Sequence, residues 1–211
     1  MACSCSAPEP KQPDPRFRTA LWIALVVNLS MFVVEGIASM TSGSVSLLAD
    51  AIDFFGDSAN YLLSLTVLSM GMVWRGRAAM VKGLTMGAFG IFVLARAGWV
   101  ATQSTAPEPF TMGVVGLLAL VANMGVAIML FRFREGDSDM RSVWLCSRND
   151  AISNIAVMAA ALGVFGTGSA WPDLFVAAIM GTFAVTAGVS VVRHARRDIA
   201  GAKDGPGALT P

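Results

Sequence analysis

Residues 19–40 read TALWIALVVNLSMFVVEGIASM, and in that stretch Glu35 is the sole charged side chain. A helix needs roughly 20 predominantly apolar residues to cross the hydrocarbon core of a bilayer, and this run has that length. It begins after eighteen mostly polar residues and is longer than the apolar core of a signal peptide, so it reads as a retained transmembrane helix rather than a cleaved leader. Working outward, comparable runs follow at 44–73, 84–103, 110–131, 143–165 and 172–192. The composition agrees: 55% of the residues are hydrophobic and 14% charged, with mean hydropathy +0.65, outside the usual range of soluble domains.

The fold expected is therefore an all-α integral membrane protein of six transmembrane helices. A polar segment, 1–18, and a short tail, 194–211, are expected to be disordered. The transmembrane domain occupies 19–193, which leaves no length for a soluble domain. Basic residues accumulate in cytoplasmic loops, and here they alternate from loop to loop. Lys11, Arg16 and Arg18 precede the first span; Arg75, Arg77 and Lys82 fall between the second and third; Arg132, Arg134 and Arg141 fall between the fourth and fifth; Arg193, Arg196, Arg197 and Lys203 follow the sixth. The loops near 41–43, 102–109 and 166–171 carry none. Both termini are thus expected in the cytoplasm of a multi-pass cell-membrane protein.

Ionisable side chains inside a membrane are costly and mark ion pathways or proton relays. In SVSLLADAIDFFGDSANY, residues 44–61, Asp50, Asp53 and Asp57 stand at i, i+3 and i+7 and share one helix face. Three anions on one stripe are tolerable only with protons or a cation to neutralise them. In SVWLCSRNDAISNIAVM, residues 142–158, Cys146 and Asp150 stand at i, i+4, with Asn154 one turn further on. Two donors on each of two packed helices give four ligands, the number Zn2+ takes in a tetrahedral site. The candidate metal ligands are Asp53, Asp57, Cys146 and Asp150. The bland alternatives are protonated acids bonded to neighbouring helices, and a buried cysteine acting as a small hydrophobe.

The tract S-L-L-A-D-A-x-x-x-x-x-D, Ser46 to Asp57, with an x-x-x-x-D motif opening the fifth span, resembles the cation diffusion facilitator family. The likeness runs over about residues 19–193. It implies a divalent metal efflux transporter whose site is a paired motif on each of helices 2 and 5, falling here on Asp53 with Asp57 and on Cys146 with Asp150. Asn28 and Asn123 stand where the family often has asparagine. The family usually has histidine where this chain has Cys146, and it usually adds a C-terminal cytoplasmic domain for which this chain has no length. A homodimer would then form through the membrane domain.

Carboxylates and a thiol must lose protons to bind metal, so metal and protons compete for one site. Neither a Walker motif nor a nucleophile constellation is present, which points away from an enzyme and toward exchange driven by a proton gradient. Adding a thiolate to oxygen donors moves preference toward Zn2+ and Cd2+, then Co2+; without Cys146 the oxygen ligands favour Mn2+ or Fe2+. The partners implied are metal ion, protons and lipid, with no nucleic acid and no permanently bound cofactor. A proton or monovalent-cation channel could use the acidic stripe without the second half-site, and a non-transporting scaffold or sensor would not need it at all. Asp50 and Glu35 read either as outer relay groups or as helix-packing acids. Arg148 points off the Cys146–Asp150 face, toward the interface, and Arg96 is expected to pair with an acid. Cys3 and Cys5 are capture ligands or idle thiols. Gly83, Gly87 and Gly90, with Gly181 and Gly188, would let helices 3 and 6 approach closely. His194, among arginines, reads as part of a lipid-headgroup contact.

Overall fold

The computed structural model describes residues 15–66, 72–103, 105–133 and 138–204; the side chains at 72–76, 78, 138–149, 198 and 201–204 lie outside the described ones. Six helices follow in order: α1 Pro15–Ser42, α2 Val45–Thr66, α3 Met72–Gln103, α4 Pro109–Phe131, α5 Ser138–Thr167 and α6 Trp171–Asp204. Five contain a stretch long and apolar enough to cross a membrane. The exception is α2, whose 22 residues span about 33 Å at 1.5 Å per residue but carry the three aspartates.

The polarity is inverted relative to a soluble bundle. On α1, Trp22, Val26, Leu29, Val33, Ile37 and Met40 form an exposed apolar stripe, whereas Asn28 and Glu35 are buried. Asp50, Asp57, Asn123 and Asn154 are likewise buried on α2, α4 and α5. Helices satisfy their own backbone hydrogen bonds, so apolar side chains can face lipid while polar ones are kept within the bundle.

Local chemistry sets the turns. Gly43 has φ +73° and its N–H donates to Ser39 O at 3.0 Å, a left-handed C-terminal cap that glycine adopts without a Cβ penalty. Ser44 then caps α2, its Oγ accepting from Leu47 N at 3.1 Å. A second cap comes from α6. Asp173, fully buried, accepts from Ser44 Oγ at 2.7 Å, Val45 N at 2.8 Å and Ser46 N at 3.1 Å. An anion at a helix N-terminus meets both free donors and the positive end of the dipole. Glu108 caps α4, accepting from Phe110 N at 2.9 Å and Thr111 N at 2.6 Å, and the Thr111 and Phe110 donors hold its exposed carboxyl below the usual range.

Helices α3 and α6 meet backbone to backbone. A Cβ on Gly188 would lie 2.6 Å from Gly83 O and 2.7 Å from Gly87 N, and one on Gly90 would lie 2.8 Å from Gly181 O. The expected close approach at these glycines is what the helices make. Elsewhere α1 packs on α2 and α4, α4 on α5, and α2 also touches α3, α5 and α6.

The helix ends differ from the sequence expectation. α3 begins at Met72 rather than near 84, so Arg75, Arg77 and Lys82 belong to a helix and not to a loop. α6 runs to Asp204, placing 194–204, expected as disordered tail, in helix. Arg, Lys and Ala are strong helix formers, and a helix already nucleated in the membrane extends through them at little cost. α1 likewise starts at Pro15, within the segment expected to be disordered; residues 1–14, with Cys3 and Cys5, lie outside the described residues.

Candidate metal site

The acidic stripe of α2 faces the bundle. Asp57 is buried and Asp53 half-buried. From α5, half-buried Asp150 brings its carboxyl within hydrogen-bonding reach of both. Carboxylates about a hundred residues apart in sequence are thereby gathered by the contact between α2 and α5. Asp53 and Asp150 also line a cavity of about 290 Å3, together with Gly56, Met86, Ser153 and Met180. Asp150 meets Asp53 and Asp57, which act on each other through their charge, and acids so placed favour protons or a cation and repel anions.

Three of the four candidate ligands, Asp53, Asp57 and Asp150, are therefore together. The fourth, Cys146, sits one turn before Asp150 on α5, and its side chain, like that of Arg148, lies outside the described ones. Among the described residues, no group of three or more His, Cys, Asp or Glu side chains could by itself hold a metal ion.

Several neighbours escaped the sequence reading. The Asn60 and Tyr61 side chains bond to Asp57. Lys82, read from the sequence as a loop cation, is half-buried on α3, and its charge acts on both Asp53 and Asp57. A legible sign existed: Lys82, Met86 and Phe89 follow i, i+4, i+7 and line one groove against α2. Arg96, expected to pair with an acid, is exposed on the outside of α3. A long cationic side chain on that face can reach the interface, and no ion pair of Arg96 is seen among the described residues. His194 is exposed on the extended α6, its Nδ1 2.8 Å from Ser190 O. Asp50 and Glu35 are fully buried in the same bundle.

No curated protein matches the chain. Residues 76–200, from α3 into α6 and including Asp150, match the cation efflux transmembrane domain. α1 and α2, with Asp53 and Asp57, lie before the matched range. The match spans more than half of the 211 residues and falls on a bundle of membrane-crossing helices with acids turned inward. The protein belongs to the cation efflux family, the cation diffusion facilitators, and is a multi-pass membrane transporter of cations.

Proposed function

We propose that the protein exports a divalent transition metal ion, Zn2+ first, then Cd2+ and Co2+, across the cell membrane in exchange for protons. Both termini lie in the cytoplasm in this reading, and the site is Asp53, Asp57, Cys146 and Asp150. The observation that carries it is the placement of Asp150 against both Asp53 and Asp57, because a channel built on the α2 stripe alone has no need of the α5 acid. Cys146 supplies the donor that the three acids lack. The gathered carboxyls must shed protons when a dication binds and regain them when it leaves, which supports exchange as the mode of transport.

A second reading is Mn2+ or Fe2+ export, favoured by the fact that all three described donors are carboxylates, hard ligands suited to those ions. Purified protein in liposomes with an imposed pH gradient and an entrapped metal dye tests both. Wild type should move Zn2+ with proton counterflow, and Asp57→Ala should lose at least about tenfold of the rate, equivalent to about 1.4 kcal/mol. Cys146→His should retain Zn2+ movement while Cys146→Ser loses Cd2+. Equal Cd2+ flux in Cys146→Ser and wild type would remove the thiolate from the site and leave the oxygen-ligand reading. Silence of wild type toward every metal would sink the exporter.

A further inference from the structure

A polar layer crosses the bundle next to the candidate metal site. Two apolar layers bracket it. Ala38, Leu47, Met112 and Val157, from α1, α2, α4 and α5, form one cluster toward the α1–α2 turn. Met31, Phe54 and Ala119 form another, about two turns deeper. Between them, at helical spacing on the same faces, stand Glu35 on α1, Asp50 on α2, Gly116 on α4 and Asn154 on α5. Glu35, Asp50 and Asn154 are each at most 1% exposed. Neither the Oδ1 nor the Nδ2 of Asn154 has a hydrogen-bond partner among the described residues, and Glu35 and Asp50 have none there beyond each other. Glu35 and Asp50 meet carboxyl to carboxyl within hydrogen-bonding reach, a contact that needs a proton on one of the two.

Buried polar atoms are almost always bonded, and two buried carboxyls side by side cannot both carry charge without compensation. Among the described residues no cation supplies that compensation; Arg141 and Arg148 of α5 have side chains outside them. The charges acting on Glu35 are Asp50 and Asp53, both acidic. α1 has no other ionisable group past Arg18, and α4 has none in 109–131. On α2 the remaining acid is Asp57, and on α5 the acid facing the layer's neighbour is Asp150. Lys82 of α3 acts on Asp53 and Asp57 and is not among the charges acting on Glu35. On α6, Asp173 is committed to the N-terminus of α2.

We propose that Glu35, with Asp50 and Asn154 as its partners, is a proton-exchange site for the transport cycle, separate from the metal ligands and set between them and the α1–α2 turn. With the metal site empty, the buried Glu35–Asp50 pair holds one proton, on Glu35 and donated toward Asp50. When a dication occupies Asp53, Asp57 and Asp150, the charge facing the layer becomes positive. The O–H bond of Glu35 then breaks, the proton leaves to water, and the carboxylate remains, offset by the metal's charge. Departure of the metal reverses each step. Because the coupling is reciprocal, a proton on Glu35 weakens metal binding by the same factor that metal weakens proton binding.

This inference rests on the metal-exchange reading, and the test separates the two. Protein in phosphatidylethanolamine/phosphatidylglycerol vesicles is assayed for radiolabelled Zn2+/Zn2+ exchange, which needs no net proton movement, and for protons moved per Zn2+ in net transport. At saturating Zn2+, Glu35→Gln should keep exchange within about twofold of wild type, with Zn2+ affinity weakened as the reciprocal coupling requires, while the proton-to-zinc ratio falls by about one. Infrared difference spectra on adding Zn2+ should show loss of a protonated-carboxyl band in wild type that is missing in Glu35→Gln. An unchanged proton ratio with intact exchange, or an unchanged infrared band, overturns the proton site while leaving the exporter standing. Absence of Zn2+ exchange in wild type overturns both. Should Glu35→Gln fail to fold, Glu35→Asp, which keeps a carboxyl, should shift the frequency of that band; an unshifted band overturns the proton site.

Discussion

Replacing Gly188 by alanine adds a single methyl group at the tightest point of the α3–α6 contact. Its Cβ would sit 2.6 Å from Gly83 O, 2.7 Å from Gly87 N and 3.0 Å from Gly87 Cα. All three are backbone atoms, which have no rotamer by which to retreat. Restoring an ordinary contact of 3.4 Å requires the helices to part locally by about 0.8 Å. A gap of that size forfeits roughly a quarter to a half of the dispersion attraction between the atoms lining it. Overpacking of this kind costs about 1–3 kcal/mol, opposed by about 1 kcal/mol of helix propensity gained on going from glycine to alanine. The expected net is a destabilisation of about 0–2 kcal/mol, against a stabilisation of about 1 kcal/mol where the propensity gain acts alone. The control is Gly36→Ala on α1, where a Cβ meets nothing within 4 Å and the propensity gain should appear alone. Reversible unfolding in mixed micelles, followed by helical circular dichroism, gives both values. Equal stability changes at Gly188 and Gly36 would refute the claim that backbone contact holds α3 to α6.

Asp173→Ala removes three hydrogen bonds from the start of α2 and leaves Val45 N and Ser46 N buried without that acceptor; a loss of about 2–3 kcal/mol is expected in the same unfolding assay, and a change below about 0.5 kcal/mol would show the cap to be replaceable. Glu108 has its carboxyl held below its ordinary value of 4.5, so its contribution is complete above that pH and lost as pH falls through the lower folded value. Acid titration of stability should therefore show a decrement in wild type that is missing in Glu108→Gln; parallel curves would exclude the linkage. Asp150→Asn should slow metal transport by at least about tenfold while leaving unfolding stability within about 1 kcal/mol, and a large stability loss with transport retained would make Asp150 a packing residue.

The six helices were legible because lipid imposes a length and a polarity that a reader can count, and the glycines of α3 and α6 because close helix packing needs small residues. The approach of Asp150 to Asp53 and Asp57 was legible only in part. Helical spacing placed each acid on a face, but the pairing of those faces depends on which helices touch, and one sequence contains no such signal beyond family likeness. Lys82 was misplaced because a cation near a span's end was taken for a loop residue, when the helix simply continues beneath it. Asp173 could not have been found: its donors lie about 130 residues away, and nothing local distinguishes a carboxylate that caps its own helix from one that caps another. Cys146 remains a sequence argument, since its side chain is outside the described ones.

The Asp173 bond makes α2 a lever. Its Ser44 end is fastened to α6, and α6 is in turn locked to α3 through glycine, so the anchor shares the stiffness of a two-helix beam. Twelve residues separate Val45 from Asp57, an arm of about 18 Å at 1.5 Å per residue. A tilt of about 10° about the anchor would move Val45 hardly at all and carry Asp57 through about 3 Å, on the scale of a ligand bond length. The fulcrum lies at one face of the bundle and the longest stroke falls on the acids. Small rotations at the pinned end are thus enough to bring the acids of α2 toward Asp150 or away from it.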